Sequence, residues 1–273
     1  MKAVIITDLD GTLIDHDTYS AAPASDAIER AKKAAIPVCI CSSKTRREIL
    51  HYRKILGITD PFISENGGAI FIPNFYFDVI ADRPSEESFE KTEFGTSYSA
   101  LVAALREVRN STRVRIRGFH ELTPEQLSKK AGLTLHLAEL ALDREYDEPF
   151  WIEDGGPGDF ERAVRALQDR SLNVTRGSRF HHVMGDNDKG RAVAFLSQQF
   201  RRRFPGVVFA GLGDSPNDIP MLRQVDIPIL VKSPSGTYDN ETCREVSNLL
   251  LADGIGPAGW NSAVGALLSE WMQ

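Results

Sequence analysis

Several features are scarce or absent in this sequence, and each absence excludes a class of function. No apolar run approaches the roughly 20 residues that a membrane-spanning helix needs. The N-terminus has no charged segment followed by a hydrophobic stretch and a cleavage site, so we expect no signal peptide. A net charge of −6 argues against a broad basic surface for nucleic acid. A Gly-x-x-x-x-Gly-Lys-Ser/Thr loop is missing too, so a P-loop nucleotide site is not supported.

Cysteine is also scarce. The chain of 273 residues has three cysteines, Cys39, Cys41 and Cys243, and a bridge between the first two would be strained because they alternate along one apparent strand. We therefore expect no disulfide framework and predict a cytoplasmic location. The content of 42% hydrophobic and 26% charged residues is ordinary for a soluble globular protein.

A pair of acidic residues follows the first predicted strand. The apolar run 3–6 indicates a buried β-strand, and Asp8 and Asp10 come directly after it, beside Gly11 and Thr12. Two carboxylates this close can divide into an ionised group and a proton carrier. They can also share a divalent cation that prefers oxygen ligands, such as Mg²⁺. The alternative is an Asx-type turn in which both acids are in water.

The order of the predicted elements indicates the fold class. Strands and helices alternate through about residue 64, which favours a parallel sheet covered on both faces. A polar, acidic linker begins near residue 82, a segment of different character follows, and the alternation resumes after about residue 185. We therefore predict an α/β protein whose Rossmann-like, doubly wound, mainly parallel core is formed by residues 1–82 and 185–273. Residues 83–184 are predicted to form an inserted α+β cap, and residues 69–72 to pair with 75–80 as a hairpin.

Sheets of this kind bind ligands at the carboxyl ends of their strands. Several carboxylates, a lysine and a hydroxyl fall at such ends or at helix starts, and these are the groups that phosphoryl transfer needs. Acids of this set could hold Mg²⁺, the lysine supplies a fixed positive charge, and a carboxylate can attack phosphorus. The set comprises Asp8, Asp10, Ser42, Lys189, Asp214 and Asp218.

Together these positions resemble the haloacid dehalogenase-like phosphatase superfamily, through residues 8–12, Ser42, Lys189 and residues 213–218. The resemblance implies that Asp8 is the nucleophile. It implies that Asp10 protonates the leaving oxygen and then activates the water that cleaves the aspartyl-phosphate. Ser42 and Lys189 would hold the phosphoryl oxygens.

The resemblance also implies a metal site. Asp8, the backbone carbonyl of Asp10 and Asp214 would bind Mg²⁺, and Asp218 would be a close supporting acid. No other cofactor is expected.

The predicted insert has the position of the cap in subclass IIB, the sugar-phosphatase type of this superfamily. Within it, residues 41–45, 65–68, 144–150, 176–183 and 256–260 resemble the mannosyl-3-phosphoglycerate phosphatases. The resemblance implies Mg²⁺-dependent hydrolysis of mannosyl-3-phosphoglycerate to the compatible solute mannosylglycerate. The alternatives are a phosphatase of a related ester, such as glucosyl-3-phosphoglycerate, and a non-catalytic phosphosugar-binding sensor, which would have no need for Asp10.

A phosphorylated sugar-glycerate substrate requires cationic and hydroxyl-binding groups. Arg144 and Arg179 are the first choices because a guanidinium binds a carboxylate through two parallel hydrogen bonds. The alternative for the candidates is an internal salt bridge or turn contact. His181 and His182 are interpreted as packing or hydrogen-bonding residues, since no Cys/His cluster accompanies them. The substrate-binding candidates are Ser43, Lys44, Asn66, Arg144, Gly177, Ser178, Arg179 and Asn217, and we expect no nucleic-acid or membrane partner.

Overall fold

The computed structural model describes residues 1–78, 88–176 and 180–272. The strands in chain order are β1 (Ala3–Thr7), β2 (Val38–Cys41), β3 (Phe62–Ser64), β4 (Ala69–Pro73), β5 (Phe89–Glu93), β6 (Ile116–Gly118), β7 (Asp147–Ile152), β8 (Asn173–Arg176), β9 (His181–Met184), β10 (Val208–Gly213), β11 (Ile227–Lys232) and β12 (Leu250–Ile255). The α-helices are α1 (Ser25–Lys33), α2 (Arg46–Leu56), α3 (Tyr98–Thr112), α4 (Pro124–Ala131), α5 (Leu135–Ala141), α6 (Asp159–Gln168), α7 (Lys189–Arg203), α8 (Ile219–Leu222), α9 (Asn240–Glu245) and α10 (Gly256–Trp271). Among these helices, none combines the length and apolar character that crossing a bilayer requires.

The larger sheet has eight strands in the order β12-β11-β10-β1-β2-β3-β4-β5. The first six are parallel, and β4 and β5 pair antiparallel at one edge. All five residues of β1 are buried, because its alternating side chains enter separate hydrophobic clusters on the two faces. Ile5 packs in the cluster that includes Trp260 of α10, and Ile6 in the one that includes Leu196 of α7. The predicted doubly wound α/β class is confirmed.

The smaller sheet has four antiparallel strands in the order β6-β7-β9-β8. Residues of α3 and α6, such as Leu105 and Leu167, form a hydrophobic cluster with Phe150 of β7. A further cluster joins α4 and α5 to Phe119. This α+β unit is the inserted cap that the predicted fold includes.

The domain boundaries stay a prediction, since the residues on both sides of position 82 lie outside the described ranges. Strand β5 falls inside the segment assigned to the cap, yet it belongs to the larger sheet. It pairs with β4 from Ala69↔Glu93 to Pro73↔Phe89.

The predicted hairpin partner of β4 was wrong, since that partner is β5 and residues 74–77 form turns. Phe75 has a φ of 59°, which interrupts an extended strand. The rings of Tyr76 and Phe77 instead pack edge-on against Phe200 of α7. Residues 79–80 lie outside the described ranges.

Candidate active site

The site is built where β1 ends. Strand β1 lies between β10 and β2, so its carboxyl end adjoins the exits of both neighbours. Asp8 follows β1, and Asp214 follows β10. Lys189 is the first residue of α7, whose N-cap Asp188 accepts the backbone N–H of Arg191 at 2.7 Å.

Lys189 joins two of the predicted acids. Its Nζ lies 2.6 Å from Oδ1 of Asp8 and 2.7 Å from Oδ1 of Asp218, and its side chain is fully buried. Burial lowers the pKa of Lys189, but the charges of Asp218 and Asp8 outweigh that effect and raise it, so the ammonium stays charged. The other oxygen of Asp218 accepts the backbone N–H groups of Asp214 at 3.0 Å and Ser215 at 3.2 Å, which fixes the loop after β10.

Asp8, Asp214 and Asp218 form a buried acidic cluster. Each offers one carboxylate oxygen, and these oxygens lie within 4.8 Å of one another. Burial raises the pKa of Asp8 to about 7, although Lys189 opposes it. Burial and the charge of Asp218 raise the pKa of Asp214 well above its usual value. Lys189 is the cation that contacts the cluster within the described residues, so the fully ionised cluster would have three negative charges to one positive. Its hard oxygen donors fit a divalent cation such as Mg²⁺.

Gly11 lets the turn after β1 approach Asp214. Its φ is +75°, and a Cβ at this position would lie 2.6 Å from Oδ2 of Asp214. The hydroxyl of the next residue, Thr12, donates to Oδ1 of Asp214 at 3.4 Å. The glycine of the motif is therefore required by both backbone conformation and close approach.

Asp10 pairs with Lys44. Nζ of Lys44 lies 3.1 Å from Oδ2 of Asp10 and 3.2 Å from Oε1 of Glu48, over the rings of Tyr19 and Tyr52. Burial lowers the pKa of Lys44, and the charges of Asp10 and Glu48 raise it further than burial lowers it. Lys44 was predicted to bind substrate, and the structure places its ammonium against Asp10, the predicted proton donor.

A cavity lies between the exits of the larger sheet and the cap. Asp8, Asp10, Ser43, Lys44 and Asn217 line it from the larger sheet's side. The cap contributes aromatic and apolar side chains together with polar groups, among them Phe119, Pro149, Phe180, Arg144 and His182. Ser42 is fully buried, and its hydroxyl accepts the backbone N–H of Lys44 at 3.3 Å.

Arg144 and Asn66 are held by internal contacts. Arg144 donates from Nε to the backbone oxygen of Asp147 at 2.5 Å, and its Nη2 lies 2.9 Å from the oxygen of Ser43 and 3.0 Å from Oδ1 of Asp147. Asn66 donates from Nδ2 to Oδ2 of Asp147 at 2.7 Å and accepts from Asn217 at 3.3 Å. The structure therefore gives both candidates the internal contacts that were the alternative to substrate binding. The remaining candidates, Gly177, Ser178 and Arg179, lie outside the described residues.

Comparisons with known proteins identify the family. Residues 5–94 match the model of a haloacid dehalogenase-like hydrolase family. The chain is 45% identical over 271 residues to the glucosyl-3-phosphoglycerate/mannosyl-3-phosphoglycerate phosphatase of Methanococcoides burtonii, covering 99% of this chain and 98% of that one. It is 34% identical to the mannosyl-3-phosphoglycerate phosphatase of Pyrococcus furiosus, covering 91% of this chain and 97% of that one.

The chain belongs to the haloacid dehalogenase-like hydrolases. Solved structures share its fold: a Thermoplasma acidophilum protein has a TM-score of 0.69 at 20% identity and covers 100% of this chain and 99% of its own. A subclass IIB sugar phosphatase has a TM-score of 0.66 at 15% identity, and the match covers 100% of both chains. The predicted family and the predicted phosphatase activity are confirmed.

Two buried carboxylates beside the cavity of this haloacid dehalogenase-like enzyme, Glu65 and Asp147, were not among the predicted residues. Glu65 accepts the backbone N–H groups of Glu145, at 3.0 Å to its nearer oxygen, and of Tyr146 at 2.8 Å. The Asp147 carboxylate bonds to Asn66 and His182 and forms an ion pair with Arg144. Both lie in stretches that the resemblance used, but neither stretch says which acids meet across the fold. One sequence signal could have identified them: Glu65 directly follows β3 and Asp147 begins β7, and each has a polar neighbour.

Proposed function

We propose that this enzyme is a Mg²⁺-dependent phosphatase that hydrolyses mannosyl-3-phosphoglycerate to mannosylglycerate and phosphate. The observation that carries the proposal is the convergence of Lys189, Asp214 and Asp218 on Asp8, which lines a cavity together with Asp10. The substrates in the names of the two relatives support the choice of ester. Glucosyl-3-phosphoglycerate is the second candidate, because the relative at 45% identity carries both names.

In the proposed first step, a carboxylate oxygen of Asp8 attacks phosphorus. The bond from phosphorus to the ester oxygen breaks, and an aspartyl-phosphate forms on Asp8. Asp10 gives its proton to the leaving oxygen. The Lys44 ammonium, 3.1 Å from Asp10, would compensate the negative charge that Asp10 acquires when it gives up this proton.

In the second step, Asp10 takes a proton from a water molecule whose oxygen attacks phosphorus. The bond between phosphorus and the Asp8 oxygen breaks, so phosphate is released and Asp8 is regenerated. Asp10 is then protonated again, and the cycle balances without another reactant.

Lys189 holds Asp8 ready for attack. An ammonium has three N–H donors, and two of them point to Asp8 and Asp218. The third would bind a phosphoryl oxygen. The hydroxyl of Ser42 would be a further donor to the phosphoryl group.

The acidic cluster would hold the metal ion. Asp8, Asp214 and the backbone carbonyl of Asp10 are the proposed ligands, with Asp218 close by. When bound, Mg²⁺ would neutralise phosphate charge and orient the phosphoryl group. Burial disfavours the ionised forms of Asp8 and Asp214, and a cation bound among these oxygens would offset that cost, which supports this assignment.

Phosphate release from a panel of esters tests the function. The panel is mannosyl-3-phosphoglycerate, glucosyl-3-phosphoglycerate, mannose 6-phosphate and p-nitrophenyl phosphate, each measured with MgCl₂ or with a chelator. We expect the highest kcat/KM for the mannosyl ester and no turnover with the chelator. Asp253→Asn is the matched control for substitutions of site acids, because Asp253 is an exposed acid paired with Lys232.

Three results would contradict the proposal. Turnover of mannose 6-phosphate with none of either glycosyl ester would assign another sugar phosphate. Full activity in the chelator would remove the metal from the mechanism. Binding of the ester without phosphate release would favour a sensor.

A further inference from the structure

His182 is a cavity-lining residue of the cap to which the proposed mechanism gives no role. It lies in β9, where it pairs with Pro149 of β7 and Thr175 of β8. Its side chain is mostly buried, and it lines the same cavity as Asp8 and Asp10. From the sequence it was interpreted as a packing or hydrogen-bonding residue.

One ring nitrogen of His182 is fixed by Asp147. Nδ1 lies 2.8 Å from Oδ1 and 3.1 Å from Oδ2 of that carboxylate. Burial raises the pKa of Asp147, but the charges of His182 and Arg144 overcome this effect and lower it. An ionised carboxylate only accepts hydrogen bonds, so Nδ1 carries a hydrogen. Within the described residues no hydrogen bond uses Nε2, the nitrogen that remains for the cavity.

With substrate bound, the ring of His182 would lie between two carboxylates, Asp147 at Nδ1 and the substrate carboxylate at Nε2. A ring that donates through both nitrogens is an imidazolium, and a charge-assisted hydrogen bond from Nε2–H to a carboxylate is a strong one.

Among the described residues that line the cavity, Arg144 and Lys44 are held by internal contacts. The bonds of Arg144 go to Asp147 and Ser43, and the ammonium of Lys44 lies between Asp10 and Glu48. These groups shape the cavity, while His182 has a nitrogen to offer a ligand.

We propose that His182 is a substrate-binding residue that holds the carboxylate of the glycerate unit through Nε2–H. This inference rests on the proposed function, which places a carboxylate on the same three-carbon unit as the phosphate ester. Asp147 positions the ring, and Asp8 receives the phosphoryl group at another wall of the same cavity.

Two simple esters isolate the carboxylate. 3-Phosphoglycerate carries it, and glycerol 3-phosphate has a hydroxymethyl group in its place. The ratio of their kcat/KM values measures how strongly the enzyme prefers the carboxylate. Because neither ester contains a sugar, this ratio is read independently of turnover of the mannosyl ester, which tests the proposed function.

His182→Asn is the decisive variant. The amide nitrogen of asparagine can replace Nδ1 as donor to Asp147, but asparagine has no atom in place of Nε2. Loss of one charge-assisted hydrogen bond is expected to lower the ratio about tenfold to a hundredfold. Turnover of glycerol 3-phosphate should change by less than about threefold. His181→Asn is the matched control, because His181 adjoins His182 in β9 and packs on Phe150 and Phe160 of the cap's core.

His182→Gln tests the opposite replacement, in which a donor near the position of Nε2 is kept and the one at Nδ1 is lost. Its amide can reach the position of Nε2 but not that of Nδ1, so the ratio should be largely retained while thermal stability falls. If His182→Asn does not fold, this variant decides alone: a retained ratio supports the proposal and a lost one overturns it. An unchanged ratio in folded His182→Asn, or an equal loss on both esters, also overturns it.

Discussion

Replacing Glu65 with glutamine is expected to remove a pH-dependent loss of stability. Glu65 is fully buried in the turn after β3. Burial raises its pKa from 4.5 to about 7, against the lowering effect of Arg144. The folded protein therefore keeps a proton between these pH values that the unfolded chain has lost. By linkage, the stability of the wild type falls as pH rises through this interval.

The size of the effect follows from the shift. A difference of about 2.5 pKa units corresponds to about 3 kcal/mol in full, of which roughly 2–3 kcal/mol develops between pH 5 and 8. Glutamine has no such titration. It also keeps only one acceptor for the backbone N–H groups of Glu145 and Tyr146, which costs about 1 kcal/mol at every pH. Glu65→Gln should therefore be slightly less stable than the wild type near pH 5 and more stable at pH 8.

Guanidinium denaturation at several pH values between 5 and 8 measures this crossing. Fluorescence can follow both sheets, since Trp151 lies in β7 and Trp260 in the core of the larger sheet. Asp8, with a pKa also near 7, is present in both proteins and cancels in the comparison. Glu93→Gln is the control, because Glu93 is exposed and its pKa is lowered. Stability curves of wild type and Glu65→Gln that run parallel from pH 5 to 8 would refute the reasoning.

Three substitutions, at Asp8 and Asp214 of the acidic cluster and at Lys189 beside it, have separate expected outcomes. Asp8→Asn should abolish phosphate release while circular dichroism shows an intact fold, and near wild-type turnover would exclude Asp8 as nucleophile. Lys189→Met leaves buried Asp8 and Asp218 without their shared cation, so a loss of about 3–5 kcal/mol is expected in guanidinium denaturation; a loss below about 1 kcal/mol would contradict the ion-pair geometry. Asp214→Asn should raise the Tm in a chelator, because it removes a carboxyl group whose ionisation is disfavoured by burial and by the charge of Asp218, and should abolish stabilisation by MgCl₂. A MgCl₂-induced rise in Tm as large as that of the wild type would show that Asp214 is not a ligand.

The placement of the acids could be predicted because it depends on short-range information. An apolar run followed by Asp8 marks a strand end, and the same pattern recurs before Asp214. Once strands are parallel, their carboxyl ends share one edge of the sheet. Lys189 also begins a helix at that edge, where Asp188 caps it. No long-range contact had to be known to expect these groups on one side.

The internal contacts of Arg144 and Asn66 span the fold, and no local pattern reveals them. Arg144 donates to the backbone of Ser43, 101 residues away, and Asn66 donates to Asp147, 81 residues away. Both residue types also suit a sugar-glycerate ligand, so composition alone could not separate the two roles. The hairpin error has the same cause. The aromatic residues 75–77 have a composition typical of a strand, and the packing of Tyr76 and Phe77 on Phe200 is a long-range contact that this composition does not indicate.

Two buried clusters adjoin the cavity, and their charge balance differs. Asp8 and Asp218 contact the ammonium of Lys189, so with Asp214 the fully ionised cluster has three negative charges to one positive, and a bound cation would offset the difference. The Glu65–Asp147 cluster contains its own cation, because the guanidinium of Arg144 pairs with Asp147 and lies 3.8 Å from Glu65. Asn66 and Asn217 connect the two, since Asn66 donates to Asp147 and accepts from Asn217 in the loop that carries Asp214. A continuous set of hydrogen bonds therefore joins Asp147 in the cap to the loop after β10.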